Sequence, residues 1–349
     1  MPRRTAVLWI LSLPMQWLLV KYAKMHPGQI DRIYGLEWYP SLAEGKSIFS
    51  KIPFSFGDLL YAASILFLCY TLIKQLPKGW KGIKTLVSNG LAIGAILHLF
   101  FLISWGFNYY KTPLAQKLEV PLQYSKEELS KTLEYWIAQS NALHQQLETA
   151  DSLPVAIPLD QKRIIGLLQS DETQPNYVKN SLWSLPLTYM GYAGYLNPFT
   201  GEAQVNCLLP TLSMITTIAH EMAHQKGFAP EQEANYWAFK NTTTHPNLYI
   251  RYAGATFALR YCYGALYRMD KEMAQKLQKN IRPGILRDFE IIADFWKKHQ
   301  TPLMPYFENF YDQYLKSRGQ EAGIVSYSLV VAFIIKETEN QLLKPIENQ

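Results

Sequence analysis

HEMAHQKGFAPEQEANYWAF, residues 220–239, carries two helical patterns joined by a glycine turn. The first pattern spans about 211–226. His220 and His224 lie four residues apart, so their imidazoles stack on one helix face and can bind one metal ion. Glu221 sits about 100° round from His220, close enough to reach a metal-activated water without being a ligand. Ile215, Ile218 and Met222 form the opposite, core-facing stripe. Gly227 closes the helix as a C-terminal glycine does.

A second helix is expected over about 230–242, with Pro230 near its first position and acidic residues in its first turn. Glu231 shares a face with the small residues Ala234 and Ala238 and with Asn235, a face able to approach the histidine helix closely. Glu233 points roughly 200° away, alongside the bulky Tyr236 and Trp237. Only one of the two carboxylates can face the histidines, and Glu231 is the expected third ligand. The chain has three cysteines and no CxxC pair, so a metal site here rests on His and carboxylate. That donor set suits Zn²⁺, with three protein ligands leaving a fourth position for water.

Upstream, the composition changes character. Hydrophobic residues make up 48% of the 349-residue chain and charged residues only 18%, low for a soluble protein. The shortfall is concentrated before about residue 110. Three runs there approach the roughly 20 residues that span a bilayer core: about 5–23, 57–73 and 86–106. The first follows Arg3-Arg4 but lacks a small-residue cleavage site, so an uncleaved anchor is expected. Lys74, Lys78, Lys81 and Lys84 fill the loop between the second and third runs with no acidic residue. The positive-inside rule puts that loop and Arg3-Arg4 in the cytoplasm, and everything after residue 107 outside it. Residues 1–106 therefore read as an anchor of three transmembrane helices in the cytoplasmic (inner) membrane, and 107–349 as the extracytoplasmic domain. His98, inside the third run, reads as a helix-packing residue ahead of a proton relay. The net charge of +6 suits an anionic membrane surface, and no basic stripe or zinc-knuckle spacing points to nucleic acid.

The remainder is expected to be α+β and mainly helical. Ser125-Lys126-Glu127-Glu128 is a capping-box start for a helix to about 149. Two strands, about 187–196 and 202–208, flank the turn Asn197-Pro198-Phe199-Thr200-Gly201. Further helices are expected at about 247–269, 284–299 and 303–317, with a buried core helix in the apolar run Gly323–Ile335. Cys207 and Cys262 could pair in an oxidising compartment, although two free buried thiols are the default reading.

The segment 220–239 resembles a bacterial family of membrane-anchored proteins known as domain of unknown function thirty-eight-ten. The likeness also covers IPFSFGDLLY at 52–61, WGFNYYKTPL at 105–114, NPFTGEAQVN at 197–206 and YLKSRGQEAGIVSY at 314–327. The pattern Glu231-x-x-Ala234-Asn235 is similar to the Glu-x-x-x-Asp element of gluzincin peptidases. That similarity implies a zincin-like domain in which Glu231 ligates zinc and residue 235 orients a ligand histidine. Asn235 stands where those peptidases have Asp, and an amide accepts the imidazole N–H without supplying charge.

These readings converge on a membrane-anchored zinc metallopeptidase. Glu221 is the general base, and His220, His224 and Glu231 are the metal ligands. The partners are the lipid bilayer and a peptide or protein substrate of unknown sequence. An oxyanion donor is also required, for which Tyr252 leads, with Arg251 and His245 as alternatives. Strand 202–208 could take an extended substrate by edge addition, with Glu202 and Asn206 shaping the hairpin. Two other classes are a zincin-fold membrane sensor or structural protein without turnover, and a zinc hydrolase acting on a non-peptide amide.

Overall fold

The computed structural model describes residues 2–147, 150–169, 177–317 and 329–343, and is mainly helical with one small sheet. The principal helices are α1 (Arg3–Leu11), α2 (Leu13–Met25), α3 (Phe56–Gln75), α4 (Gly79–Ser104), α5 (Lys126–Gln146), α6 (Thr211–Gln225), α7 (Glu231–Thr243), α8 (Leu248–Met269), α9 (Pro283–Lys298), α10 (Met304–Ser317) and α11 (Val330–Leu343).

Two stretches among the described residues are long and apolar enough to cross a membrane, where three were expected. The first is Arg4–Met25. The second is Phe56–Ser104, 49 residues long, in which the apolar runs 57–73 and 86–106 merge through a 3-10 turn, Leu76–Lys78. Gly79, at φ +56°, directly follows that turn and bends the chain back, so no long loop separates the two runs. Within the stretch α3 and α4 pack on each other, and both of their outer ends meet the rest of the protein. Most large side chains on α3, among them Ile65, Leu66, Phe67 and Leu68, are exposed. Gln16 of α2 is buried against α4, donating through Nε2 to Ala95 O, and its Oε1 lies 2.7 Å from His98 Nδ1. His98 thus joins two helices, as expected of a packing residue.

The large core belongs to the later helices. α5 starts with the expected capping box: Ser125 Oγ accepts from Glu128 N, and Glu128 Oε2 accepts from Ser125 N. Leu129 and Leu133 of α5, Ile215, Ile218 and Met222 of α6, Phe239 of α7, Leu259 of α8 and Phe333 of α11 are all buried in one cluster. Each such burial contributes about 1.5–3 kcal/mol before the cost of ordering. Part of the run Gly323–Ile335 lies outside the described residues, but Val330–Ile335 is buried in α11 as a core helix should be.

The sheet departs from expectation. Its strands are β1 (Val178–Asn180), β2 (Gly194–Leu196) and β3 (Ala203–Val205), in the order β1-β3-β2. β1 pairs parallel with β3, and β2 antiparallel. β1 and the helices Gln161–Leu168 and Lys271–Gln278 had no counterpart in the sequence reading. Residues 187–190, expected to be strand, close the helix Ser184–Met190, whose Thr188 Oγ1 bonds back to Ser184 O. β3, proposed as the free edge, is covered on both sides; the edge strands among described residues are β1 and β2. Glu202 and Asn206 do shape this region. Glu202 accepts from Phe56 N (3.1 Å) and Gly57 N (2.6 Å), capping α3, and Asn206 Nδ2 donates to Thr188 Oγ1. A carboxylate at the start of α3 meets the positive end of its dipole. Cys262 is buried, but Cys207 is exposed, and both are free thiols.

Candidate metal centre

α6 presents His220 and His224 on one face, their rings 4.6 Å apart at nearly right angles. Gly227 then takes φ +83°, a left-handed conformation that turns the chain sharply into α7. That reversal brings the first residue of α7, Glu231, opposite the histidines. Its Oε2 lies 3.2 Å from His220 Nε2 and its Oε1 3.7 Å from His224 Nε2. One ligand atom from each residue lies within 4.8 Å of the others. Glu233 points elsewhere, accepting from Leu114 N at 2.7 Å. The structure thus brings Glu231, not Glu233, to the two imidazoles.

The far ring nitrogens fix how the imidazoles present themselves. His220 Nδ1–H donates to Asn235 Oδ1 at 2.9 Å, and His224 Nδ1–H to Phe228 O at 2.7 Å. Both partners are acceptors, so each ring carries a proton on Nδ1 and turns Nε2 towards Glu231, where it offers a lone pair once the ring is neutral. The helix end is held from the apolar segment: Trp105 Nε1 donates to His224 O and Tyr39 OH to Gln225 O. These bonds satisfy C-terminal carbonyls that α6 cannot satisfy itself.

The electrostatics follow from burial of four ionisable groups together. Burial disfavours charge on all of them, yet the His220 contact outweighs it for Glu231, holding that carboxyl well below the usual range. Burial also opposes charge on His220, but the Glu231 carboxylate outweighs it and pushes this imidazole up. His224, buried beside His220, is pushed down to about 4. Glu221 is pushed up to about 8, by burial first and by Glu231 second, against the pull of His220. Its Oε2 has no hydrogen-bond partner although it is buried. With the Nε2 proton of His220 displaced, two imidazole nitrogens and a carboxylate facing one another form a donor set that fits a divalent cation such as Zn²⁺, and a positive charge there would favour ionised Glu221.

Glu221 lies against β2. A Cβ added at Gly194 would meet Glu221 Oε1 and Gln204 O, each at 2.8 Å, so only glycine lets strand and carboxylate approach so closely. The three groups open into a cavity of about 890 Å³ lined by His220, His224 and Glu231 and by β2.

The expected oxyanion donors lie elsewhere. Tyr252 is buried and donates to Asp288 Oδ2 at 2.5 Å, a link between α8 and α9. It sits only 21 residues beyond Glu231 in sequence, but its face of α8 turns into the core. His245 Nε2 donates to Leu167 O while its Nδ1 accepts from Asn247 N. Neither they nor Arg251 line the cavity. Tyr311 of α10, to which the sequence reading assigned no role, donates to Glu231 Oε1 at 2.6 Å. Arg260 and Tyr261, more than two turns beyond Tyr252 on α8, also line the cavity. Nothing in their local pattern marks Tyr311, Arg260 or Tyr261 out; only the packing of α8 and α10 over the centre does.

Comparison with known proteins identifies the family. Residues 34–335 match the model of the family described as "Protein of unknown function (DUF3810)". The chain belongs to that family. No curated protein and no solved structure matches it.

Proposed function

We propose that this DUF3810 protein is a membrane-anchored zinc metallopeptidase. The observation that carries the reading is a buried carboxylate without a partner, Glu221 Oε2, set between three convergent donor groups and a free strand edge in one cavity. A purely structural metal site has no use for such a carboxylate, since leaving it unpaired costs stability. This weighs against a sensor or structural protein without turnover.

His220, His224 and Glu231 would hold the ion. When bound, zinc polarises the scissile carbonyl and acidifies a water. The free edge of β2 pairs with an extended substrate and holds its backbone beside Glu221. Glu221 removes a proton from the attacking water and returns it to the leaving amine. Arg260 and Tyr261 supply donors for negative charge developing on the carbonyl oxygen. Tyr311 and Asn235 keep Glu231 and His220 in place.

Membrane topology completes the proposal. At about 1.5 Å per residue a straight 49-residue helix would run about 73 Å, far beyond a hydrocarbon core of about 30 Å. The turn at Leu76–Lys78 instead lets α3 and α4 cross separately. Lys74, Lys78, Lys81 and Lys84 then lie at the cytoplasmic end and the metal centre outside the cytoplasm.

The test is Glu221→Gln in the full-length, zinc-loaded protein, assayed on a randomised peptide library. Zinc content should match wild type while hydrolysis falls at least 100-fold. Undiminished hydrolysis by the zinc-replete variant would remove Glu221 from the mechanism.

A further inference from the structure

The wall of the cavity is not built from the helical domain alone. Tyr61, Ser64 and Ile65 of α3, and Phe101 and Trp105 at the domain end of α4, line the same space as His220 and Glu221. Tyr61, Ser64 and Ile65 fall at i, i+3 and i+4, one face of a helix of membrane length. Ile65 is nine residues past Phe56, so at about 1.5 Å per residue the wall reaches about 14 Å along α3. Ile65 is also 53% exposed, and Leu66, Phe67 and Leu68 beside it are more so. The cavity therefore opens at its rim onto the side of α3 that faces hydrocarbon if the helix spans a bilayer.

The strand edge leads to the same place. Tyr195 of β2 stacks on Tyr61, with ring centroids 6.1 Å apart, and its hydroxyl donates to Asp58 Oδ1. Asp58 Oδ2 also accepts from Leu182 N at 2.7 Å, tying the first turn of α3 to the loop after β1. Directly after β2, Pro198 O accepts from Ser104 Oγ (3.0 Å) and Lys46 Nζ (2.9 Å), and Phe199 stacks on Phe100 of α4. A chain laid along β2 is thus delivered at one end to the outer ends of α3 and α4. A cavity for peptides arriving from solution has no need of apolar walls a turn or more down these helices.

Building on the peptidase reading, we infer that the substrate is a membrane-inserted polypeptide, cut in the extended segment just outside its own transmembrane helix. The helix lies in lipid beside α3, the adjoining residues enter over the rim at Tyr61, Ser64 and Ile65, and the scissile bond reaches Glu221 along β2.

The experiment uses the full-length, zinc-loaded protein in phosphatidylcholine vesicles, with a photoreactive benzoylphenylalanine in place of Ile65. Two probes are compared: a randomised twelve-residue segment joined to a leucine–alanine transmembrane helix, and the same segment alone. The tethered probe should cross-link at position 65 and be cut, by mass spectrometry, within about five residues of its helix. The free segment should cross-link and be cut at least ten-fold less. Equal cross-linking and cutting of the free segment, or cuts spread evenly along the tethered one, would overturn the inference and leave the peptidase reading intact. Cross-linking to phospholipid that the tethered probe does not displace would also overturn it, in favour of a lipid occupant. Cross-linking of the tethered probe with neither probe cut would instead refute the peptidase reading.

Discussion

Asn235 offers a sharp test of whether the three convergent groups bind metal. Its Oδ1 accepts from His220 Nδ1–H at 2.9 Å, which leaves His220 Nε2 as the nitrogen facing Glu231 and free to ligate. Asn235→Ala removes that acceptor without touching a ligand. Loss of a second partner of a metal-binding histidine costs about 10–100-fold in affinity, or about 1.4–2.7 kcal/mol. An independent route agrees: a buried imidazole N–H left without an acceptor costs about 1–3 kcal/mol. Asn235→Asp should go the other way, because a carboxylate acceptor makes a stronger bond and raises the basicity of the ring. Zn²⁺ affinity is measured on purified full-length protein in detergent by competition with a fluorescent chelator. Glu233→Ala serves as the control, since Glu233 bonds to Leu114 N and should leave affinity within a few-fold of wild type. Wild-type affinity in Asn235→Ala, or weaker binding in Asn235→Asp than in Asn235→Ala, would refute the reasoning. So would metal loss from Glu233→Ala alone.

Two further outcomes are expected. Burial pushes Asp288 up to about 6, against the bonds from Tyr252 and Val155 N that lower it. A raised carboxyl favours folding below its unfolded value and loses that contribution as pH rises through the folded one, so Asp288→Asn should gain about 2 kcal/mol relative to wild type between pH 4 and pH 7. Denaturant unfolding at both pH values checks this, and a pH-independent difference would contradict it. On the proposed topology, with the lysines of the α3–α4 turn in the cytoplasm, an alkaline phosphatase fused after Gln349 should be active and a cytoplasm-dependent fluorescent reporter there should not. The reverse pattern would overturn the orientation.

What could be read from residues alone was what depends on neighbours in the chain. Four-residue spacing placed His220 and His224 on one helix face, and the two-residue offset separated Glu231 from Glu233, because helix geometry fixes side-chain directions over short distances. The capping box at Ser125 and the turn at Gly227 were legible for the same reason. The apolar runs identified the membrane-length stretches, though not that two of them merge through a helical turn. Tertiary structure alone decided the rest. Strand order depends on which distant segments pair, so β1 enters beside β3, and the edges fall on β1 and β2. Tyr252, near α6 in sequence, turns into the core to meet Asp288, while Tyr311, 80 residues from Glu231, bonds to it. A cavity shared by α3, α4, α6 and β2 has no local signature, because each wall residue satisfies its own helix or strand pattern. Only packing puts those walls around one space.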